Sequence, residues 1–236
     1  MTSTVAALDL PFQEAIDFFR QKTNVPTQRW TDVWQDGHSR GFMVAGAASE
    51  ALVEDFRQAV AKALEQGTTL AEFRRDFELT VDQHGWSYNG TPGWRAQIIY
   101  ETNLSTAYAA GRYAQMTEPD TLAVFPFWQY VHSGSAHPRL DHLAWNGLTL
   151  RADDPWWNTH YPPNGWHCGC TVRPLMQREL ARQGKRGPDA APPLDVQTVN
   201  VRGKGPVQVP KGIDPGFAYN PGQAWKRGDV KPPEEP

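Results

Sequence analysis

The sequence predicts an α+β fold, in which a helical N-terminal part precedes a small β-rich cap and an extended tail. Apolar side chains recur at helical spacing as far as residue 116, whereas residues 125–133 are aromatic and β-branched, as strands are. Prolines and glycines are concentrated in the C-terminal third. We therefore expect a helical region over 1–120, a small α+β region with a His/Cys cluster over 121–184, and an extended Pro/Gly-rich tail over 185–236.

Helix signals account for most of the first region. Ser49, Thr69 and Thr91 are the expected N-caps, and Thr69 forms a capping box with Glu72. The small residues near Gly111 allow close approach to another helix. The predicted helices cover Pro11–Lys22, Thr31–His38, Ala48–Glu65, Thr69 to Gly85, and Thr91 to about Met116.

Shorter elements are predicted after residue 120. Phe125–Ser133 has the composition of a strand, and Pro126 indicates an edge strand because proline cannot donate to a sheet ladder. A short helix is expected over Pro138–Trp145 and another over 174–184. Leu148–Arg151 and Cys168–Arg173 are further strand candidates. Beyond residue 184 we expect extended chain, unless the tail lies along another surface.

Charge and composition exclude several classes of protein. The net charge is −3, with 16 acidic and 10 basic residues before residue 133, so the chain is not a uniformly basic nucleic-acid binder. No apolar run approaches the roughly 18 residues of a membrane span, and the N-terminus lacks the pattern of a signal peptide. Two cysteines in a C-x-C pair do not predict a disulfide framework. These features indicate a cytosolic protein.

A cluster of possible metal ligands lies between His132 and Pro174. This stretch contains five of the seven histidines and both cysteines. Imidazoles and thiolates are the side chains that zinc prefers. Cys168 and Cys170 would face the same side of a strand, and His142 would project from a short helix as a third ligand. The pattern predicts a zinc site.

The fourth ligand is not fixed by spacing. We take His137 as the fourth ligand, with His160, His167 and Asp141 as alternatives. A different interpretation also stays open, in which the thiols are small buried hydrophobic groups and the histidines lie on the surface.

A basic strip is the candidate nucleic-acid contact. Residues 173–204 contain seven bases and three acids. Arg178, Arg182, Lys185 and Arg186 are the residues that we expect to face phosphate groups, although a solvated strip would have the same composition.

Taken together, these segments resemble the minor head protein F family of phage Mu, the phage head morphogenesis proteins. The resemblance spans nearly the whole chain, and its most specific part is R-x-x-H-x-x-x-x-G from Arg139 to Gly147. One departure is Gly169 between the cysteines, where the family commonly has arginine. The other matching pieces are PFQEAIDFFRQK, GFMVAG, GTT with EFRRDF, GW, IIYETNLSTAYAAGRYAQM, DDPWW, PPNGWHCGC and IDPGFAYNPG.

The resemblance implies a virion component that is made in the host cytoplasm. Such proteins enter the procapsid in few copies, associate with the portal vertex, and act in head assembly or genome delivery. The expected partners are the portal protein and the major capsid or scaffold proteins, with DNA as a further candidate. The family's suspected metal positions fall on His142, Cys168 and Cys170. The chain is also expected to lack the additional C-terminal domain of longer relatives.

The sequence is compatible with three functions. An assembly protein would have a closed His/Cys cluster that braces the cap. A zinc-dependent hydrolase or nuclease would need an open metal position and a nearby free carboxylate, such as Asp141 or Asp153. A DNA-binding module would use the basic tail. The resemblance favours the assembly protein over an enzyme, and we assign no catalytic residue.

Overall fold

The computed structural model describes residues 11–228; residues 1–10 and 229–236, which belong to the predicted helical region and tail, lie outside this range. The described chain is α+β. Its helices are α1 Gln13–Arg20, α2 Glu50–Gln66, α3 Leu70–His84, α4 Pro92–Met116, α5 Pro119–Val124, α6 Leu140–Ala144, α7 Trp157–His160, α8 Gln177–Arg182 and α9 Pro221–Arg227. Its strands are β1 Thr23–Asn24, β2 Gly41–Phe42, β3 Phe127–Val131, β4 Thr149–Arg151, β5 Thr171–Leu175, β6 Val196–Val201 and β7 Gly205–Pro210.

Helices α2, α3 and α4 begin at the caps that the sequence predicts. Ser49 caps α2 by accepting a hydrogen bond from the Leu52 backbone N–H, and Thr91 caps α4. The capping box that opens α3 is complete, because the Thr69 and Glu72 side chains each bind the other's backbone N–H. These contacts satisfy N–H groups that a helix cannot pair internally.

The helical core is aromatic, and α4 lies at its centre. Phe56 of α2 packs on Phe77 of α3, and Phe73 packs on Tyr100 of α4, with ring centroids 5.6 and 5.3 Å apart. A Cβ atom at Gly111 would lie 2.7 Å from the Ala15 backbone nitrogen. The predicted close approach at this small residue is therefore confirmed, and it occurs between α1 and α4.

The cap contains a three-stranded antiparallel sheet in the order β4-β3-β5. The prediction that β3 is an edge strand is wrong, because β3 is the central strand. Pro126 lies one residue before the strand, where its missing N–H is not needed. Trp128 and Tyr130 of β3 are buried.

Aromatic contacts join the cap to α4. The Trp128 and Tyr161 rings both make edge contacts with Tyr113 of α4, at centroid distances of 5.6 and 5.5 Å. The Tyr161 hydroxyl donates to the Ala109 carbonyl at 3.3 Å. The long helix therefore belongs to both the helical core and the core of the cap.

Two other predicted elements differ from the structure. Residues predicted as a helix over Thr31–His38 instead form turns and a 3₁₀ helix at Gln35–Ser39, because Gln35 has a left-handed φ of +46°. The helix predicted over 174–184 is shorter, since residues 174 and 175 belong to β5.

The described part of the tail carries more secondary structure than the sequence predicts. Strands β6 and β7 form an antiparallel hairpin, and α9 packs against α4. Asn220 caps α9 and also donates from its side chain to the Trp157 carbonyl. Trp225 of α9 makes an edge contact with Phe18 of α1. These contacts hold the tail along the surface of the helical part and the cap.

None of the helices within residues 11–228 is both long and apolar enough to span a bilayer.

Candidate metal centre

Three predicted ligands meet in the interior of the cap. The Nδ1 atom of His142 lies 3.7 Å from the sulfur of Cys168 and 3.7 Å from the sulfur of Cys170. All three side chains are buried, with exposed fractions of 2%, 6% and 8%. Their ligand atoms lie within 4.8 Å of one another. We call this group the HCC cluster.

Two short elements position the cluster. His142 projects from α6, as the sequence predicts. The cysteines precede β5 rather than lying on it, because the strand begins at Thr171. The Cys168 N–H donates to the Gly165 carbonyl, and His167 adopts a left-handed φ of +57° between them. A tight turn, and not strand alternation, therefore brings both sulfurs to His142.

A backbone carbonyl selects the tautomer of neutral His142. Its Nε2 atom lies 2.8 Å from the Gly212 carbonyl oxygen, which can only accept a hydrogen bond. In the neutral ring the proton is therefore on Nε2. This leaves the Nδ1 lone pair directed at the two sulfurs, which is the arrangement that carbonyl groups impose on metal-binding histidines.

The distances between donor atoms fit a tetrahedral zinc ion. Zinc–sulfur and zinc–nitrogen bonds of about 2.3 and 2.0 Å place nitrogen and sulfur about 3.5 Å apart at the tetrahedral angle. The two nitrogen–sulfur distances in the HCC cluster are 3.7 Å. Two thiolates and a neutral imidazole are also a donor set that suits zinc.

The two thiols titrate as a coupled pair. A hydrogen bond between their side chains lowers the pKa of Cys170 to about 3, while burial opposes the shift. The same bond, together with burial, raises the pKa of Cys168. A second buried thiolate beside the first is unfavourable without a cation. A divalent ion would remove this obstacle.

The structure does not bring the predicted fourth ligands into the HCC cluster. His137 is exposed. His160 stacks on Trp156 with centroids 4.3 Å apart, and burial lowers its pKa to about 4. His167 pairs with Glu101 at 2.6 Å. Asp141 also lies outside the group.

Tyr130 and Asn164 are polar residues near the cluster that the sequence does not indicate as part of the site. The Tyr130 hydroxyl donates to the Asn164 side-chain oxygen at 3.0 Å and also lies beside Cys170. The Nδ2 atom of Asn164 is buried without a hydrogen-bond partner among the described residues. This unpaired amide, connected to the cluster through Tyr130, makes the region more polar than an ordinary apolar core.

An ion pair fixes the loop that carries the cysteines. Arg139 donates to the Asp214 carboxylate at 2.8 Å and to the Trp166 carbonyl at 2.9 Å, and Asp214 accepts from the Trp166 N–H. The sequence contains both partners in matching motifs, Arg139 in R-x-x-H and Asp214 in IDPG. It gives no signal that they pair across 75 positions.

Gly212 is expected to be intolerant of a side chain. Its φ is +81°, and an added Cβ would lie 2.7 Å from atoms of Asp141 and Trp145. We expect Gly212→Ala to cost about 1–3 kcal/mol of unfolding free energy, and to weaken metal binding about 10–100-fold by displacing the carbonyl that orients His142. Thermal unfolding and a competitive zinc titration measure the two effects.

Gly67→Ala is the matched control for this substitution. Gly67 has a φ of +69°, but an added Cβ would meet nothing within 4 Å. It should therefore show the backbone strain without a change in zinc affinity. Equal zinc affinity in the Gly212 variant would contradict the orienting role of this carbonyl.

The predicted phosphate-facing residues differ in their surroundings. Arg178, Arg182 and Arg186 are exposed. Lys185 is half-buried, and its ammonium donates to the Gly147 carbonyl at 2.9 Å and pairs with Asp189. Three of the four side chains can therefore reach an external phosphate group, whereas Lys185 joins its loop to the sheet.

Comparisons with known proteins agree with the motifs. Residues 54–173 match the model of the family described as Phage Mu protein F like protein. The chain is similar to capsid assembly protein F of Escherichia phage Mu, at 33% identity over 92% of this chain and 56% of that protein. It is also similar to the Mu-like prophage FluMu F protein of Haemophilus influenzae, at 34% identity over 67% of this chain and 40% of that protein.

The chain spans about half the length of the curated relatives that it matches. No solved structure matches it.

Proposed function

Because this chain belongs to the Phage Mu protein F like family, we propose that it acts in the assembly of a phage head. The observation that carries this proposal is its similarity, over 92% of its length, to a relative named as a capsid assembly protein. We place it in the virion as a minor component at the portal vertex. Its partners there would be the portal protein and the major capsid or scaffold proteins. The chain would also have a role in genome delivery.

The HCC cluster would serve this protein as a structural zinc site. His142, Cys168 and Cys170 would hold the ion, and the ion would neutralise the thiolates and fix α6 against the loop before β5. Through the Gly212 carbonyl, the same site extends to the C-terminal segment. The metal would therefore hold together parts of the chain that are up to 70 positions apart.

Burial of the cluster supports a structural role over hydrolysis. A catalytic zinc keeps one position open to water and needs a free carboxylate nearby. Each ligand of the HCC cluster is at most 8% exposed. Among the described carboxylates suggested for this task, Asp153 is paired with Arg151 on the surface, and Asp141 lies outside the cluster.

Contact with DNA is a second candidate function. The exposed side chains of Arg178, Arg182 and Arg186 favour it, since arginines on one surface can each contact a phosphate group. This role is compatible with a position inside the head.

Complementation of a deletion tests the assembly function. The coding sequence is removed from the phage, and the wild-type chain is supplied in trans. We expect the deletion to abolish DNA-filled heads in electron micrographs, and the wild-type chain to restore them. Normal, infectious heads in the deletion strain without any supplied chain would contradict the proposal.

A further inference from the structure

A large cavity lies apart from the HCC cluster. It has a volume of about 1160 Å³ and is lined by segments within residues 22–46, by α4 with the residues before it, and by segments within residues 202–219. Trp166 and His167 line one wall, but none of the three cluster ligands does. The cavity is therefore a second feature, built by the contact of the C-terminal segment with the helical region.

The walls of this cavity are basic. Lys22, Arg29, Arg95 and Arg202 line it, and no aspartate or glutamate is present among the lining residues that the structure describes. The nearby carboxylate of Glu101 is already paired with His167. The lining is positively charged, although the net charge of the whole chain is −3. It favours an anionic ligand by charge complementarity.

Lys22 is a buried ammonium group without an anionic partner. Its side chain is 7% exposed, and within residues 11–228 it has no hydrogen-bond acceptor or ion pair. Its Nζ atom lies 4.7 and 5.9 Å from the ring centroids of Phe18 and Phe19. Burying a charge is costly unless the charge is paired. The rings compensate this cost only in part.

The pKa values and contacts of the basic groups in this cavity also indicate that no anionic group of the described chain pairs with them. Burial lowers the pKa of Lys22 to about 7. It also lowers the pKa of His38 to about 4, with a contribution from Lys22. The Nε atom of Arg95 is buried without a partner in the described chain. An incoming carboxylate would favour the charged form of Lys22 and satisfy a group that the fold leaves unpaired.

We propose that this cavity is a docking site for an acidic peptide segment of a partner protein, with a glutamate or aspartate side chain paired to Lys22. The aromatic residues Trp30, Trp94 and Phe217 line the same cavity and suit apolar residues beside the acidic one. A carboxylate on a flexible side chain can reach a buried ammonium group. A DNA phosphate cannot do so as easily, because it lies within the nucleic-acid backbone.

Two capped peptides that differ only in charge test the docking site. The probes are acetyl-Trp-Glu-Leu-amide and acetyl-Trp-Gln-Leu-amide, titrated calorimetrically into the full chain. We expect the Glu peptide to bind at least about tenfold more tightly than the Gln peptide. This preference should disappear in Lys22→Met and persist in Lys62→Met, which removes an exposed lysine of α2 that pairs with Asp76.

The wild-type comparison alone keeps the proposal testable if Lys22→Met does not fold. Equal affinity for the two peptides, or no binding of either, would overturn the proposal. A preference that persists in a folded Lys22→Met variant would also overturn it. An octathymidylate that displaces the Glu peptide and binds more tightly would assign the cavity to single-stranded nucleic acid instead.

Discussion

Replacing Cys168 by serine is expected to lower the melting temperature of the zinc-loaded protein by about 8–16 °C. A ligand present at about a thousand times its Kd stabilises the folded chain by about 4 kcal/mol. In a domain of this size, each kcal/mol changes the melting temperature by about 2–4 °C. The serine hydroxyl replaces one of two thiolates that lie 3.7 Å from His142, so the variant loses the site. Calorimetric melting at fixed zinc concentration measures the effect.

A chelator provides the matched control for this variant. EDTA should lower the melting temperature of the wild type towards that of Cys168→Ser and should leave the variant unchanged. If EDTA shifts neither protein while Cys168→Ser is destabilised, the cysteine stabilises the cap by packing alone. That outcome would contradict a structural zinc in this protein.

Replacing Trp128 by alanine is expected to lower the free energy of unfolding by about 3–5 kcal/mol, because truncation of a buried tryptophan leaves a large cavity. Trp128 is 1% exposed on the central strand of the cap. Its ring contacts Tyr113 of α4 as well as Trp157 and Tyr161. The substitution therefore weakens the attachment of the cap to the long helix. Denaturant unfolding followed by circular dichroism measures the loss.

Trp94→Ala is the matched control for this truncation. Trp94 is 47% exposed near the start of α4, and alanine is a good helix former. We expect the control to change the unfolding free energy by less than about 1 kcal/mol. Similar losses in both variants would show that Trp128 does not join the cap to the helical region.

The long N-terminal helices could be predicted from the sequence because their signals are local. Ser49, Thr69 and Thr91 each bind backbone N–H groups within three residues, and these short contacts are visible as caps in the sequence. The apolar spacing between the caps then fixes which face is buried. The capping box at Thr69 is the clearest case.

The position of each element in the sheet was harder to predict. The sequence predicts a strand that includes Pro126 and lies at the sheet edge. In the structure β3 begins at Phe127 and pairs with both β4 and β5. The high proline and glycine content of residues 185–236 predicts an extended tail, whereas β6 and β7 form a hairpin there. The alternation of polar and apolar residues from Thr198 to Val201 is a short signal for this hairpin.

The candidate site was predictable in its ligands but not in its surroundings. His142, Cys168 and Cys170 are ligand types that are close in sequence, and the structure brings them together. The contacts from Gly212 and Asp214 come from segments about 70 positions away. Such pairings depend on the path of the whole chain, so no local pattern in the sequence contains them.

X-ray absorption at the zinc edge of the purified chain tests most directly whether His142, Cys168 and Cys170 form a metal centre. Metal content is measured on the same sample. We predict one zinc per chain, with two sulfur ligands at about 2.3 Å and nitrogen at about 2.0 Å. We also predict that Cys168→Ser loses the metal. A fully folded wild-type chain that takes up no zinc, or zinc bound without sulfur, would contradict the assignment of His142, Cys168 and Cys170 as a metal centre.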